Sequence, residues 1–207
     1  LDANGLQDAR MRITLSPGSA QGDAGPTTLI TADPLPEYPD AWYTEGITVV
    51  ITSLIQAMGD PTFGYKTGCY FPRVMARQEA AQKGAEEALW FTADKRLAEA
   101  SFSNVFLVDG EGVVRTPPRD TPVLDGVVRQ SVLELCEQDG IPCDAETPLT
   151  IHELLDATEV FITNSTMGLR PVVRVERHAV SEEKPGPVTQ KLIAAYTELL
   201  NTECQTR

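Results

Sequence analysis

The stretch from Gly64 to Ala80 limits what this chain can fold into more than any other stretch does. It places one lysine, Lys66, in a polar, Gly-rich turn and continues directly into a helical pattern. Pro72 suits the first turn of that helix, which we predict to run to about Gly84, because a glycine often follows the last helical residue. Its apolar stripe is predicted to contain Val74, Met75, Ala76 and Ala80. A β-branched run at residues 47–51 predicts a strand before the turn, so the lysine is expected between a strand and a helix.

Strand and helix patterns are mixed along the rest of the chain. Strands are predicted at residues 12–15, 27–31, 88–91, 97–99, 104–108, 113–115, 160–163 and 172–175. Helices are predicted at residues 127–140 and 188–200, and the spacing of Thr150 and Glu153 predicts a capping box at the start of another. Three prolines within residues 33–39 indicate an extended, stiff connector. These patterns predict an α/β or α+β fold.

The composition restricts the partners and the location that we expect. With 42% hydrophobic and 23% charged residues, a chain of 207 residues can bury a core. A formal net charge of −13 repels phosphate backbones, so nucleic acid is not an expected partner. No apolar run approaches the roughly 20 residues of a membrane span. Four cysteines without a C-x-x-C pair predict reduced thiols and a cytoplasmic protein, and two histidines argue against a metal site.

Four stretches in register carry a resemblance to a known family. They are Gly64–Ala80, Glu99–Phe106 (EASFSNVF), Leu124–Arg129 (LDGVVR) and Phe161–Val172 (FITNSTMGLRPV). Together they resemble the class IV aminotransferases, the pyridoxal-phosphate enzymes of fold type IV, which include branched-chain and D-amino-acid aminotransferases and aminodeoxychorismate lyases. The resemblance implies a large cofactor domain of mixed strands and helices at residues 40–207. Residues 33–39 would then be the interdomain linker, and residues 1–32 the tail of a small N-terminal domain.

The resemblance also implies roles for Lys66, Tyr70 and Glu99. Lys66 would form the Schiff base with pyridoxal 5'-phosphate and would then move a proton. A free lysine has a pKa of about 10.4, so such a site has to disfavour the ammonium form. Glu99 would pair with the ring nitrogen of the cofactor and keep it protonated, which strengthens the ring as an electron sink. Tyr70 would bond the ring hydroxyl.

Two further loops are implied in binding the cofactor phosphate. Gly126, Val127 and Val128 open a predicted helix, whose backbone N–H groups can bind an anion. The family often has threonine at the position of Val128, so one hydroxyl contact is missing here. Ser165 and Thr166 would meet the phosphate and the substrate carboxylate.

The implied function is that of an amino-acid transaminase, of branched-chain or D-amino-acid type. The Thr163-Asn164-Ser165 loop resembles the lyase branch equally well, so aminodeoxychorismate cleavage to 4-aminobenzoate and pyruvate stays open as an alternative. A third possibility is a non-catalytic dimerising or binding module. The family resemblance implies a homodimer, because its pocket uses the partner subunit.

Overall fold

The computed structural model describes residues 1, 4–19, 21–22 and 24–205. The chain divides into two compact units, Leu1–Tyr38 and Pro39–Arg207. Among the described residues, no helix is both long and apolar enough to cross a membrane.

The first unit is an antiparallel hairpin. Strand β1 (Ala9–Ser16) pairs along its whole length with β2 (Thr27–Pro34), and Ile13 faces Ile30. Both strands are longer than predicted, and β2 takes in the first two residues of the predicted connector. Three alternating apolar side chains of β1 therefore share one face of the hairpin, and all three are exposed: Met11, Ile13 and Leu15.

The second unit is built on a mixed sheet of nine strands. The strands are β3 (Ile47–Gln56), β4 (Glu87–Thr92), β5 (Leu97–Ala100), β6 (Asn104–Val108), β7 (Val114–Arg115), β8 (Cys143–Asp144), β9 (Glu159–Asn164), β10 (Gly168–Val175) and β11 (His178–Ala179). Their order is β5-β4-β3-β10-β9-β6-β7-β8, and β11 pairs with β10. β3 runs parallel to both β4 and β10, while β6, β9 and β10 are antiparallel neighbours. The predicted mixed α/β class is thus confirmed.

Helices pack on this sheet in two separate clusters. The helices of the unit are α1 (Ala41–Thr44), α2 (Phe71–Gln82), α3 (Val127–Gln138), α4 (Ile151–Asp156) and α5 (Pro187–Gln205). α2 buries Ala76 and Ala80 in a cluster with Trp90 of β4. α3 and α5 cover the other part of the sheet, where Phe106 of β6 stacks on Phe161 of β9 at a centroid distance of 4.8 Å. The loops that leave both clusters carry the residues singled out by the sequence.

Three predictions about the helices can be compared with the structure. The capping box of Thr150 and Glu153 is confirmed at the start of α4. The buried stripe of α2 is half wrong, because Ala76 and Ala80 are buried but Val74 and Met75 are 41% and 46% exposed. Helix α1 and the two-residue strands β8 and β11 were not predicted, since four or fewer residues give no readable period.

Candidate active site

Lys66 lies in the connection from β3 to α2. Gly64 has φ +81°, a backbone conformation that favours glycine, and a Cβ there would lie 3.4 Å from the carbonyl oxygen of Val123. The turn therefore packs closely against the segment before α3. The side chain of Lys66 is exposed, and its Nζ lies 5.1 Å from the ring centroid of Tyr70, the N-cap residue of α2. The structure thus brings Lys66 and Tyr70 together.

Glu99 is buried in β5, with only 7% of its surface exposed. Its Oε1 accepts a hydrogen bond from Nη2 of Arg73 at 2.6 Å, and its Oε2 accepts one from the backbone N–H of Leu124 at 2.9 Å. A solvent-facing glutamate, the ordinary alternative for a strand residue, is therefore ruled out. Two chain segments, α2 and the loop before α3, hold this carboxyl group.

The electrostatics of Glu99 connect it with Lys66. Burial raises the pKa of Glu99, because a low-dielectric surrounding disfavours the carboxylate. The charge of Arg73, the amide of Leu124 and the charge of Lys66 each lower that pKa. Burial outweighs these effects, so the pKa of Glu99 stays above its ordinary value, and the charge of Lys66 is the smallest of the influences.

Leu124 links Glu99 to the N-terminus of α3. The carbonyl of Leu124 accepts a hydrogen bond from Nδ2 of Asn104 at 2.7 Å, and its N–H is the group that binds Glu99. Gly126 is the N-cap of α3 and has no side chain that could cover the first turn. Val127 is 73% exposed, whereas Val128 is 3% exposed and belongs to the core. The open helix start thus lies two residues from a group that touches Glu99.

Ser165 and Thr166 form the turn between β9 and β10. Asn164 organises this turn, because its Oδ1 accepts hydrogen bonds from the backbone N–H groups of Thr166 at 3.0 Å and Met167 at 2.9 Å. Its Nδ2 donates to the carbonyl of Phe102 at 3.2 Å and to Oγ of Ser103 at 3.1 Å. Ser165 is exposed. The turn is thereby tied to the segment that follows Glu99.

An aromatic contact connects the segment that follows Glu99 with the turn that carries Lys66. The ring of Phe102 stacks on the ring of Tyr70, with centroids 5.7 Å apart and planes at 10°. The contacts link all the loops named from the sequence into one connected set.

Sequence reasoning missed four residues of this set: Arg73, Asn104, Leu124 and Asn164. Arg73 precedes the buried Ala76 and Ala80 by three and seven residues, so it shares their face of α2. A charged residue on the buried face of a helix is the signal that could have indicated it. Asn104 and Asn164 act through amide contacts to loops far away in sequence, for which the sequence alone gives no signal.

The mixed sheet carries an amine, a buried carboxyl group and an open helix start on connected segments, and such groups are able to bind a small anionic ligand. Comparison with known proteins specifies the family. Residues 1–175 match the model for the amino-transferase class IV family. The chain therefore belongs to the class IV aminotransferases, a family of pyridoxal-phosphate-dependent enzymes.

Individual relatives agree with this assignment. A Methanocaldococcus jannaschii protein, provisionally named a branched-chain-amino-acid aminotransferase, is 30% identical over 96% of this chain and 70% of its own length. The D-alanine aminotransferase of Bacillus licheniformis is 29% identical over 98% of this chain and 71% of its own length. The crystal structure of the Escherichia coli branched-chain amino acid aminotransferase superposes with a TM-score of 0.86, at 26% identity, over 96% of this chain and 67% of that one. The relatives are thus longer than this chain.

Proposed function

We propose that this chain forms the cofactor-binding part of a pyridoxal-phosphate-dependent aminotransferase that acts on amino acids through a Schiff base at Lys66. The observation that carries the proposal is that the start of α2 connects the two residues in a chain of this family: the ring centroid of Tyr70 lies 5.1 Å from Nζ of Lys66, and Arg73 lies 2.6 Å from the buried Glu99. Bound pyridoxal 5'-phosphate supplies an aldehyde that condenses with amines and a ring that accepts electrons from the substrate carbon. All other groups in this proposal are side chains and backbone amides of this chain.

Lys66 would hold the cofactor and, once released from it, would carry a proton between the substrate α-carbon and C4′ of the cofactor, which lie on either side of the substrate nitrogen. An exposed amine on a turn can reach a ligand without moving the sheet. Tyr70 lies beside it at 5.1 Å and has a hydroxyl for the ring oxygen. Lys66 lies just before α2 and Tyr70 is its N-cap. Both residues are therefore at the N-terminal end of the helix, which supports a shared ligand.

Glu99 fits the ring nitrogen chemically. A carboxylate offers about four acceptor positions. The contacts from Arg73 and Leu124 take one on each oxygen, so each oxygen has a position left for a ring N–H. A buried acceptor of this kind would keep water away from the ring and hold the ring proton in place.

The start of α3 fits the phosphate. The amides of Val127 and Val128 belong to the first turn of a 12-residue helix, where unpaired N–H groups and the helix dipole favour an anion. Val128 contributes only its backbone, because its side chain packs in the core. Ser165, which is exposed, would add a hydroxyl donor for the phosphate or for a substrate carboxylate, and Thr166 would do so by exchanging its hydroxyl contact with Oδ1 of Asn164.

Three functions are candidates for this site: amino transfer from branched-chain amino acids, amino transfer from D-amino acids, and a lyase reaction. Branched-chain and D-alanine relatives match at 30% and 29% identity, so both substrates belong in the assay. The Thr163-Asn164-Ser165 loop, organised by Asn164, favours testing aminodeoxychorismate cleavage as a second function. We further propose a cytoplasmic homodimer, in which residues 1–32 belong to a small domain, residues 33–39 to the linker and residues 40–207 to the large domain.

The test is a titration of the full chain with pyridoxal 5'-phosphate, followed in the visible region. We expect the absorption band of a lysine-bound cofactor in the wild type and its loss in Lys66→Ala. Lys83→Ala, which changes an exposed lysine of α2's far end, should keep the band. Absence of the band in the wild type would show that this chain is a non-catalytic module.

Activity then separates the remaining alternatives. Amino transfer to 2-oxoglutarate is measured from L-leucine, L-valine and D-alanine, and pyruvate release is measured from aminodeoxychorismate. Lys66→Ala should lower the active reaction by about 10²–10⁴-fold, because the proton-transferring amine is removed. Pyruvate release without amino transfer would identify the lyase.

A further inference from the structure

Several contacts hold Arg73 beside Glu99, including a hydrogen bond of 3.4 Å from its Nη2 to Oε1 of Gln56. Its Nη2 lies 2.6 Å from Oε1 of Glu99, and its Nη1 donates to the carbonyl of Ala100 at 2.9 Å. The guanidinium carbon lies 4.8 Å from the ring centroid of Trp90. The side chains of Arg73 and Glu99 are 13% and 9% exposed, so this ion pair is largely shielded from water.

A permanent cation at this point opposes the effect of burial on the charge of Glu99. Burial alone favours the neutral carboxyl group, which would donate a hydrogen bond rather than accept one. Arginine keeps its charge at every pH that a folded protein tolerates, and its planar fork fixes the direction of its partner. Lys66, the other cation that acts on Glu99, is exposed and in the proposed function is engaged with the ligand. Arg73 is therefore the cation that always accompanies Glu99.

We infer that Arg73 is a positioning residue of the proposed cofactor site, which keeps Glu99 ionised and oriented so that it can accept a hydrogen bond from a protonated ring nitrogen. The ligand in this statement depends on the proposed function. The ionisation of Glu99 does not, and it can be measured on the protein alone.

The experiment is a pH titration of the full chain labelled with ¹³C at the glutamate carboxyl carbons. The resonance of Glu99 is assigned by its loss in Glu99→Gln. In the wild type we expect Glu99 to be ionised at pH 7. In Arg73→Gln its proton affinity should rise roughly tenfold or more, because the opposite charge is removed. Arg73→Lys keeps the charge and should rescue most of the effect. Arg96→Gln changes an arginine paired with Asp94 and should titrate like the wild type.

A second readout follows the ligand. The affinity for pyridoxal 5'-phosphate at pH 7 should fall about tenfold in Arg73→Gln, the effect of losing one charge-assisted hydrogen bond, and recover in Arg73→Lys. If the wild type binds no cofactor while Glu99 responds to Arg73, the proposed function fails and the ion-pair part of the inference stands.

Two results would overturn the inference. One is a Glu99 titration that is unchanged in Arg73→Gln while the thermal midpoint falls, since Arg73 would then only support the packing of Ala100 and Trp90. The other is a Glu99 that is already protonated at pH 7 in the wild type. This second measurement decides the question even if Arg73→Gln does not fold.

Discussion

Asn104 occupies the space in which a side chain on Gly126 would have to stand. A Cβ at Gly126 would overlap Oδ1 of Asn104, whose Nδ2 meanwhile holds the carbonyl of Leu124. A side chain fixed at one end cannot move aside freely, so the glycine is required by a close approach rather than by its own φ of −72°.

Gly126→Ala is therefore expected to displace Asn104 and to loosen the start of α3. Forcing a methyl group into a packed site costs about 1–3 kcal/mol. Denaturant unfolding should show this loss, and cofactor titration should show weaker binding. Gly110→Ala is the matched control, because a Cβ at Gly110 meets nothing within 4 Å. A stability equal to that of the wild type in Gly126→Ala would contradict the close approach.

The cysteines should differ sharply in reactivity. Burial raises the pKa of the Cys136 thiol to about 12, so almost no thiolate forms at pH 8. Cys69 and Cys143 are exposed. A maleimide added to the native chain at pH 8 should modify Cys69 and Cys143 within minutes and Cys136 only after unfolding, as peptide mass mapping will show. Labelling of native Cys136 at the rate of Cys143 would mean that the core between α3 and α5 opens readily.

The capping box of α4 should make stability depend on pH in the acid range. The hydrogen bond from the Thr150 side chain lowers the pKa of Glu153. A lowered folded-state pKa contributes stability that is present above the unfolded value and is lost as the pH falls through the folded one. Glu153→Gln keeps an acceptor for the box but removes the charge, so it should cost about 0.3–1 kcal/mol at pH 7 and much less at pH 3. Glu182→Gln, in an exposed loop, should change stability little at either pH.

Glu159 holds the start of α5 from the neighbouring strand. Its Oε1 accepts from the backbone N–H of Val188 at 3.0 Å and its Oε2 from that of Thr189 at 2.7 Å. Glu159→Ala leaves two helix-start donors without this partner and should destabilise the chain by about 2–4 kcal/mol. Glu198→Ala, exposed on the same helix, serves as the control in thermal unfolding. Equal midpoints for the two variants would show that α5 docks without this carboxylate.

Local patterns predicted the helices well. α2, α3 and α5 begin and end within a few residues of the predicted bounds, because their signals are periodicity, Pro72 at the start and glycines such as Gly84 and Gly140 after the end. The fold class and the family followed from the same patterns together with the four motifs.

The sequence did not predict which distant segments pair or contact each other. Nothing in residues 47–56 indicates that β3 lies between β4 and β10, because parallel neighbours are joined by long crossovers. Val74 and Met75 have the right type for a buried stripe, but Arg73 occupies the inward face next to Glu99. The family resemblance implied that Lys66 and Glu99 share a site, whereas the contact of Arg73 with Glu99 was visible only in the fold.

The first turn of α2 holds the neighbour of Lys66 and the partner of Glu99 on one piece of backbone. Tyr70, which stands beside Lys66, and Arg73, which grips Glu99, are three residues apart on one rigid helix. At about 1.5 Å per residue, that fixes a separation of roughly 4.5 Å along its axis. A change in this one turn would therefore disturb the neighbour of Lys66 and the partner of Glu99 together.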